Sequence, residues 1–390
     1  MTDGLKVALV HDWAVLLGGA EKVLAELLEI WPEAAVYTLV YDSQGPCSLF
    51  LQGRKVETSF IQKLPRAVRY YRSYLPFMPL AVEQFDLTGY DVVISSSHAV
   101  AKGVLTHHEQ LHISYVHTPI RYAWEMQGEY LIQAGMERGL RSYLARAVLH
   151  YIRQWDLASA GRADWLIANS QHTARRIQKI YRRPAEVIYP PVDVEAFSPG
   201  GVKEDFYLTA SRLVLHKRVD LIVEAFTNMP DRKLVVIGEG PELKKIAARA
   251  GKNIQFLGYQ PFLVFLSYMQ RARAFIFAAL EDFGITPLEA QACGTPVIAY
   301  RKGGALETVI DGKTGLFFDE QTSESLEETI RRFEKGKQRL DLAEMRLNAE
   351  RFSCERFQRE MRQYAEKRWS EFKDNRASMI SQVISVRPKT

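Results

Sequence analysis

Apolar residues along the chain fall into two alternating patterns. Short runs with little polar interruption read as buried strands: Lys6–His11 (KVALVH), Asp91–Ser95 (DVVIS), His112–Val116 (HISYV) and Trp165–Ala168 (WLIA). Between them lie stretches with apolar positions at helical spacing, such as Ala20–Trp31 and Arg138–Trp155. A parallel strand pair needs a long crossover, and a helix is the compact way to make one. The alternation therefore predicts an α/β fold, a parallel sheet with helices on both faces.

The pattern stops at Tyr189–Gly201 (YPPVDVEAFSPGG), where three prolines and two glycines crowd together, as in a linker. It restarts with strands at Phe206–Ala210, Lys233–Ile237, Ile254–Phe256, Ala274–Ala278 and Pro296–Ala299, and a helix near Val219–Phe226. Two doubly wound domains are expected, residues 1–195 and 196–352, facing each other across a cleft. The tail from Glu324 to about Asn375 reads as helical, and residues after about Arg376 read as loose.

Composition narrows the class. A chain of 390 residues, 47% hydrophobic and 25% charged, is neither disordered nor fibrous. Its three cysteines, Cys47, Cys293 and Cys354, form no C-x-x-C pair, so no disulfide framework is expected and a reducing compartment fits. The first residues lack a secretory pattern, and no apolar run reaches the roughly 18 residues of a spanning helix. The expectation is a cytoplasmic protein that can rest on the inner membrane. A net charge of +5 does not call for nucleic acid, and no nucleic-acid-binding signature occurs. That charge is locally concentrated: six basic residues from Arg54 to Arg72 face the single acid Glu57, and ten from Arg138 to Arg183 face Asp156 and Asp164. Interleaved aromatics make both stretches candidates for an anionic membrane surface.

Candidate chemistry lies in loops after strands, where open parallel sheets bind ligands. After Ala274–Ala278 comes Glu281-Asp-Phe-Gly-Ile-Thr-Pro-Leu-Glu289. Pro287 suits a first helical turn, Thr286 reads as its cap, and Gly284 allows close approach. The N–H groups of Phe283, Gly284 and Ile285 would then face a ligand at the positive helix end. Glu281 and Glu289 are placed to accept sugar or ribose hydroxyls.

The segment EDFGITPLEAQACGTPVIAYRKGGALETVIDGKTGLFF closely resembles glycosyltransferase family 4, the retaining group with the GT-B fold. SRLVLHKRVDLIVEAF, VVIGEGPE and FLGY extend the resemblance upstream, as does, more loosely, the first strand with its GG loop. It implies two facing Rossmann-like domains, with the helices at about 355–375 returning to the first. It implies Glu281 on the donor sugar, Glu289 on the ribose, and Arg212 and Lys217 on the diphosphate. This chain has Ser211-Arg-Leu and Lys217-Arg218 where the family commonly has Gly-Arg-Leu and Lys-Gly, which puts the loop shape in question. The resemblance also brings Gly18 and Gly19 to the donor and His117 to the transferred sugar, with Arg121 and Tyr122 on the acceptor side. The string HTP-x-RY-x-W (His117–Trp124) is similar to bacterial mannosyltransferases of surface polysaccharides, which implies GDP-mannose as donor and a glycan acceptor, a polyprenyl-diphosphate-linked one among them.

No Asp-x-Asp occurs, so no metal and no cofactor beyond the sugar nucleotide are expected. The alternatives are a UDP-sugar transferase of the same family, a sugar-nucleotide epimerase or hydrolase, and a zinc peptidase. The last rests on His108-Glu-Gln-Leu-His112, an H-E-x-x-H match that needs both histidines on one helix face. Here His112 opens a strand-like run.

Overall fold

The computed structural model describes residues 5–336 and 340–385, with side chains up to Arg376. The first sheet contains β1 (Val7–His11), β2 (Ala35–Thr38), β3 (Val56–Thr58), β4 (Val92–Ser97), β5 (Leu111–Val116), β6 (Trp165–Ala168) and β7 (Glu186–Val187). The second contains β8 (Tyr207–Ala210), β9 (Leu234–Ile237), β10 (Ile254–Gly258), β11 (Ala274–Phe277), β12 (Val297–Tyr300) and β13 (Gly315–Phe318). Their orders are β3-β2-β1-β4-β5-β6-β7 and β10-β9-β8-β11-β12-β13, and the pairs are parallel. The expected pair of Rossmann-like sheets is therefore the observed architecture.

The central strands are buried on both faces, which is why they read as unbroken apolar runs. In β1, Leu9 packs with Val23, Leu24, Leu27 and Leu28 of helix Gly19–Ile30, while Val10 faces Ile61, Ala81 and Val82 on the opposite side. Strand order reverses between β1 and β4 and again between β8 and β11. Connections leave those neighbours in opposite directions, so the loops after them diverge and open a crevice.

Two crossings join the domains side by side. The linker residue Val192 donates its N–H to Phe352 O at 2.8 Å and bridges Ser353. Helix Cys354–Ser385 then lies on the first domain, with Phe357, Met361, Tyr364 and Ala365 in its core. Gln358 donates to Glu26 at 2.7 Å, and the Arg368 guanidinium sits 3.6 Å from the Trp165 ring centroid. This helix runs on to Ser385, past Arg376 where the sequence reads as loose. No Gly or Pro interrupts residues 354–385, so nothing local stops it.

Candidate functional site

The loops after β1 and β4 build the first wall. Asp12, at the end of β1, is buried, and its carboxylate accepts four backbone N–H groups: His98 (2.6 Å), Ala99 (2.9 Å), Val100 (2.6 Å) and Ala101 (2.7 Å). Burial alone would raise its pKa; the His98 and His11 rings and these donors outweigh that and lower it. One charge thus fixes both loops of the switch point. Glu21 accepts the Gly18 N–H at 2.8 Å, and His11 Nε2 lies 3.5 Å from the same carboxylate. From His11 the contacts continue through Ser96 Oγ (3.2 Å) to His117 Nε2 (2.8 Å from Ser96). Burial pushes His117 down to about 3, so its ring is neutral at physiological pH.

The loops after β8 and β11 build the facing wall. Lys217 ends a single 3₁₀ turn, Leu215–Lys217, and its ammonium contacts the Glu281 carboxylate. Burial and the nearby Arg121 guanidinium lower the Lys217 pKa to about 7, with Asp282 opposing them. Arg212 is exposed and makes no ion pair among the described residues. Ser211 needs no glycine geometry, but Arg218 takes it: its φ is +52°, the left-handed region. The loop therefore keeps the shape that glycine favours, and the Arg218 side chain is held by Asp220 and Gln321, both at 3.2 Å.

Helix Ile285–Ala292 starts from Gly284, whose φ of +91° suits glycine. Thr286 lies inside the first turn and does not cap it, a correction to the sequence reading; the left-handed turn at Gly284 sets the start two residues earlier. The preceding loop is held by Gly303 and Gly304. The Gly304 N–H donates to Glu281 O at 2.8 Å, and a Cβ at Gly304 would come within 2.3 Å of Phe283 Cα.

Side chains then cross the cleft. A Cβ on Gly19 would lie 3.1 Å from Ile285 Cδ1, so the glycine pair and the helix start meet directly. Lys22 donates to Glu289 at 2.6 Å, and that carboxylate raises the Lys22 pKa. Asp282, buried beside Glu281, contacts both Arg121 and Arg176 of the first domain. Glu307 caps helix Gln171–Tyr181 from the other domain, accepting the N–H of Gln171 (2.8 Å) and His172 (2.9 Å).

The structure thus brings Gly18, Gly19, Arg212, Lys217, Glu281, Phe283, Gly284, Ile285 and Glu289 to the cleft walls, with His117 behind the first. Arg121 is engaged with Asp282. Tyr122 packs beside Ile120, Ala123 and Leu131, its ring 5.8 Å from that of Tyr130. Sequence reasoning missed Asp12, His98, Asp282, Arg176 and Lys22. Asp12 and His98 follow β1 and β4, so their position at strand ends was the available signal. The H-E-x-x-H match is not a helix: His112 lies in β5, buried, with Nε2 2.9 Å from Ser95 Oγ. Burial pushes it down to about 4. Among the described residues, no group of three or more His, Cys, Asp or Glu side chains is placed to hold a metal ion.

Residues 17–196 match the family model described as Glycosyltransferase Family 4, and residues 195–352 match Glycosyl transferases group 1. A GDP-mannose-dependent alpha-(1-6)-phosphatidylinositol monomannoside mannosyltransferase of Mycolicibacterium smegmatis is 32% identical over 192 residues, 40% of this chain and 49% of the relative. A D-inositol 3-phosphate glycosyltransferase of Kribbella flavida is 34% identical over 187 residues, 40% of this chain and 44% of the relative. The chain spans about half the length of the curated relatives it matches. In fold it is similar to Anabaena HepE in complex with UDP (TM-score 0.68, 18% identity, 93% of this chain and 100% of that one). It is similar also to sucrose-phosphate synthase of Thermosynechococcus elongatus (TM-score 0.72, 16% identity, 94% and 100%). With two facing Rossmann-like domains and family matches that together run from residue 17 to 352, the chain belongs to glycosyltransferase family 4 and has the GT-B fold.

Proposed function

We propose that this protein transfers a sugar, mannose from GDP-mannose, to a hydroxyl of a lipid-linked glycan, with retention of configuration and without a metal ion. The observation that carries the reading is the contact of Lys217 with Glu281, just before the start of helix Ile285–Ala292, on one side of a cleft closed by Gly19 on the other, with Arg212 just past the end of β8 on the same domain. Fixed cations and free helix-end N–H groups stabilise a departing diphosphate. Glu281 binds hydroxyls of the transferred sugar and Glu289 those of the ribose, each exchanging part of its lysine contact for the ligand. His117, neutral, offers a hydrogen bond to the sugar and adds no charge. The acceptor hydroxyl enters from the first domain, on the face the diphosphate leaves, and the departing phosphate takes its proton. The similarity to a GDP-mannose-dependent relative favours that donor.

The lipid-linked acceptor is supported by an exposed apolar stripe. Along helix Leu140–Ser159, Leu140 (85% exposed), Tyr143 (74%) and Leu144 (67%) face solvent beside Arg138, Arg141 and Arg146. Other basic residues of this stretch are engaged within the fold: Arg153 with Ala123 O, Arg162 with Glu83, Arg176 with Asp282 and Arg183 with Ala160 O. The surface is thus narrower than the charge run suggests. No described helix is long and apolar enough to cross a membrane. Flotation with anionic liposomes tests this: Leu144→Glu should abolish capture, and equal capture by neutral vesicles would remove the electrostatic part.

The donor is tested by melting temperature against GDP, UDP and ADP, each with EDTA. A ligand that binds only the folded state raises the transition. A shift with GDP alone is the expected result. A shift with UDP alone would replace the donor, and no shift with any of the three would overturn the site.

A further inference from the structure

The loop after β4 carries a side chain that neither the diphosphate nor the donor sugar accounts for. His98 is held to Asp12 by its backbone N–H, which donates to Oδ2 at 2.6 Å, and its ring Nδ1 lies 3.1 Å from the same oxygen without the alignment of a hydrogen bond. Asp12 already receives three further N–H groups from Ala99, Val100 and Ala101, so the carboxylate cannot swing away. The Trp13 ring meets His98 edge-on at 4.5 Å and fixes the plane of the imidazole. His11 and His117 flank it, with ring centroids 6.0 Å and 6.2 Å away.

This setting selects a tautomer. Nδ1 is buried and faces an oxygen that can only accept, so a lone pair there would be repelled and the ring proton belongs on Nδ1. Burial keeps the ring from taking a second proton, helped by the neighbouring His11 ring and Arg72 and opposed by Asp12 and Glu21. Nε2, at the far edge of the ring, is left with a lone pair and makes no hydrogen bond among the described residues. The rings differ in access as well. The His98 side chain is 22% exposed, whereas that of His11 is 0% exposed. His98 thus presents an unused hydrogen-bond acceptor at the switch point of the first sheet, where His11 has both ring nitrogens on Ser96 and Glu21.

We propose that His98 is the acceptor-binding residue of this site: Nε2 accepts the hydrogen bond of the incoming hydroxyl, of a glycan or of a water in its place, as it docks, and the same hydrogen then passes to the departing phosphate oxygen as the hydroxyl oxygen bonds the anomeric carbon and the bond to the diphosphate breaks. The proposal rests on the transferase reading above and adds the residue that receives the second substrate. Asp12 acts through His98 and is a positioning residue.

The test compares His98→Phe, which keeps the ring and removes the nitrogen, with His98→Gln, whose Oε1 can stand near the Nε2 position. The probe is slow hydrolysis of GDP-mannose without added acceptor, or of UDP-glucose if UDP gives the larger melting shift, with water as the acceptor. His98→Phe should lower kcat at least tenfold with donor KM within twofold of wild type, and His98→Gln should recover to within about threefold. Melting temperatures of both variants establish that they fold, and ¹⁵N shifts of the wild-type ring should report Nδ1 protonated and Nε2 bare. His98→Phe as fast as wild type would overturn the proposal. So would His98→Gln as slow as His98→Phe, a loss in donor KM alone, or the opposite tautomer. If wild type itself turns over neither donor, the transferase reading falls, and this assignment with it.

Discussion

Replacing Asp282 with Asn removes one negative charge from between two guanidiniums and leaves side-chain size almost unchanged. Asp282 is buried, and its partners are poorly hydrated: the Arg176 side chain is 8% exposed and that of Arg121 is 21%. Breaking a buried ion pair by removing one partner costs about 3–5 kcal/mol, because the other charge remains in place without compensation. Two features reduce the cost here. Arg121 keeps partial access to water, and Arg176 keeps Glu125 (2.8 Å) and Thr118 Oγ1 (2.6 Å). A loss of about 2–4 kcal/mol is expected for Asp282→Asn, taken from the same range. Urea unfolding at pH 7 measures it, with Asp205→Asn as control. Asp205 pairs with Arg273 at 2.9 Å, but its side chain is 84% exposed, so its removal should change stability little. The pH dependence gives a second check. Burial alone would raise the pKa of Asp282, but Arg121 and Arg176 outweigh it and hold the pKa below 3.8. The ion cluster therefore stabilises the protein above the unfolded pKa and is lost as pH falls through the folded one, a loss that Asp282→Asn should no longer show. Equal effects of the two Asn variants at pH 7 would refute the claim that this cluster holds the domains together.

The remaining predictions concern the cleft and its acid stability. Glu281→Ala and Lys217→Ala should each cost at least ~2 kcal/mol in transition-state stabilisation, read from kcat/KM; near-wild-type turnover in both would contradict their place in the site. Gly19→Val should weaken nucleotide binding far more than Gly19→Ala, because a first carbon already lies 3.1 Å from Ile285 Cδ1 and a branched one has nowhere to go; calorimetric titration distinguishes them. His117 and His112, held down to about 3 and about 4 by burial, bind fewer protons folded than unfolded between those values and pH 6.5. Stability should therefore fall as pH drops through that window, by at most about 5 kcal/mol from His117 and about 3 kcal/mol from His112. A urea midpoint unchanged from pH 6.5 to pH 5 would argue against it.

Much of the architecture was legible because it depends on neighbours in the chain. Unbroken apolar runs such as VALVH and AFIF mark strands covered on both faces, and the Pro- and Gly-rich segment after Tyr189 marks the crossing between sheets. The loop EDFGITP announced a helix start, although the cap is the left-handed Gly284 and not Thr286. Composition misled at the end of the chain: polarity suggested a loose segment, but without Gly or Pro the helix continues to Ser385.

What the tertiary structure alone decided is which charges meet. Lys22 reaches Glu289 across 267 positions of sequence, and Arg121 and Arg176 reach Asp282 across 161 and 106. In the sequence each is an ordinary charged residue, because periodicity records only which face of its own element a side chain lies on. Asp12 and His98 show the same limit, since four backbone donors converge on one carboxylate only after β4 is paired beside β1. The local pattern of the chain therefore determined the two sheets and the loops that carry chemistry. The closing of one domain on the other decided the ion pairs of Lys22 and Asp282, and the pairing of β4 beside β1 placed the His98 imidazole against Asp12, because charge interactions depend on distance in space and not on separation along the chain.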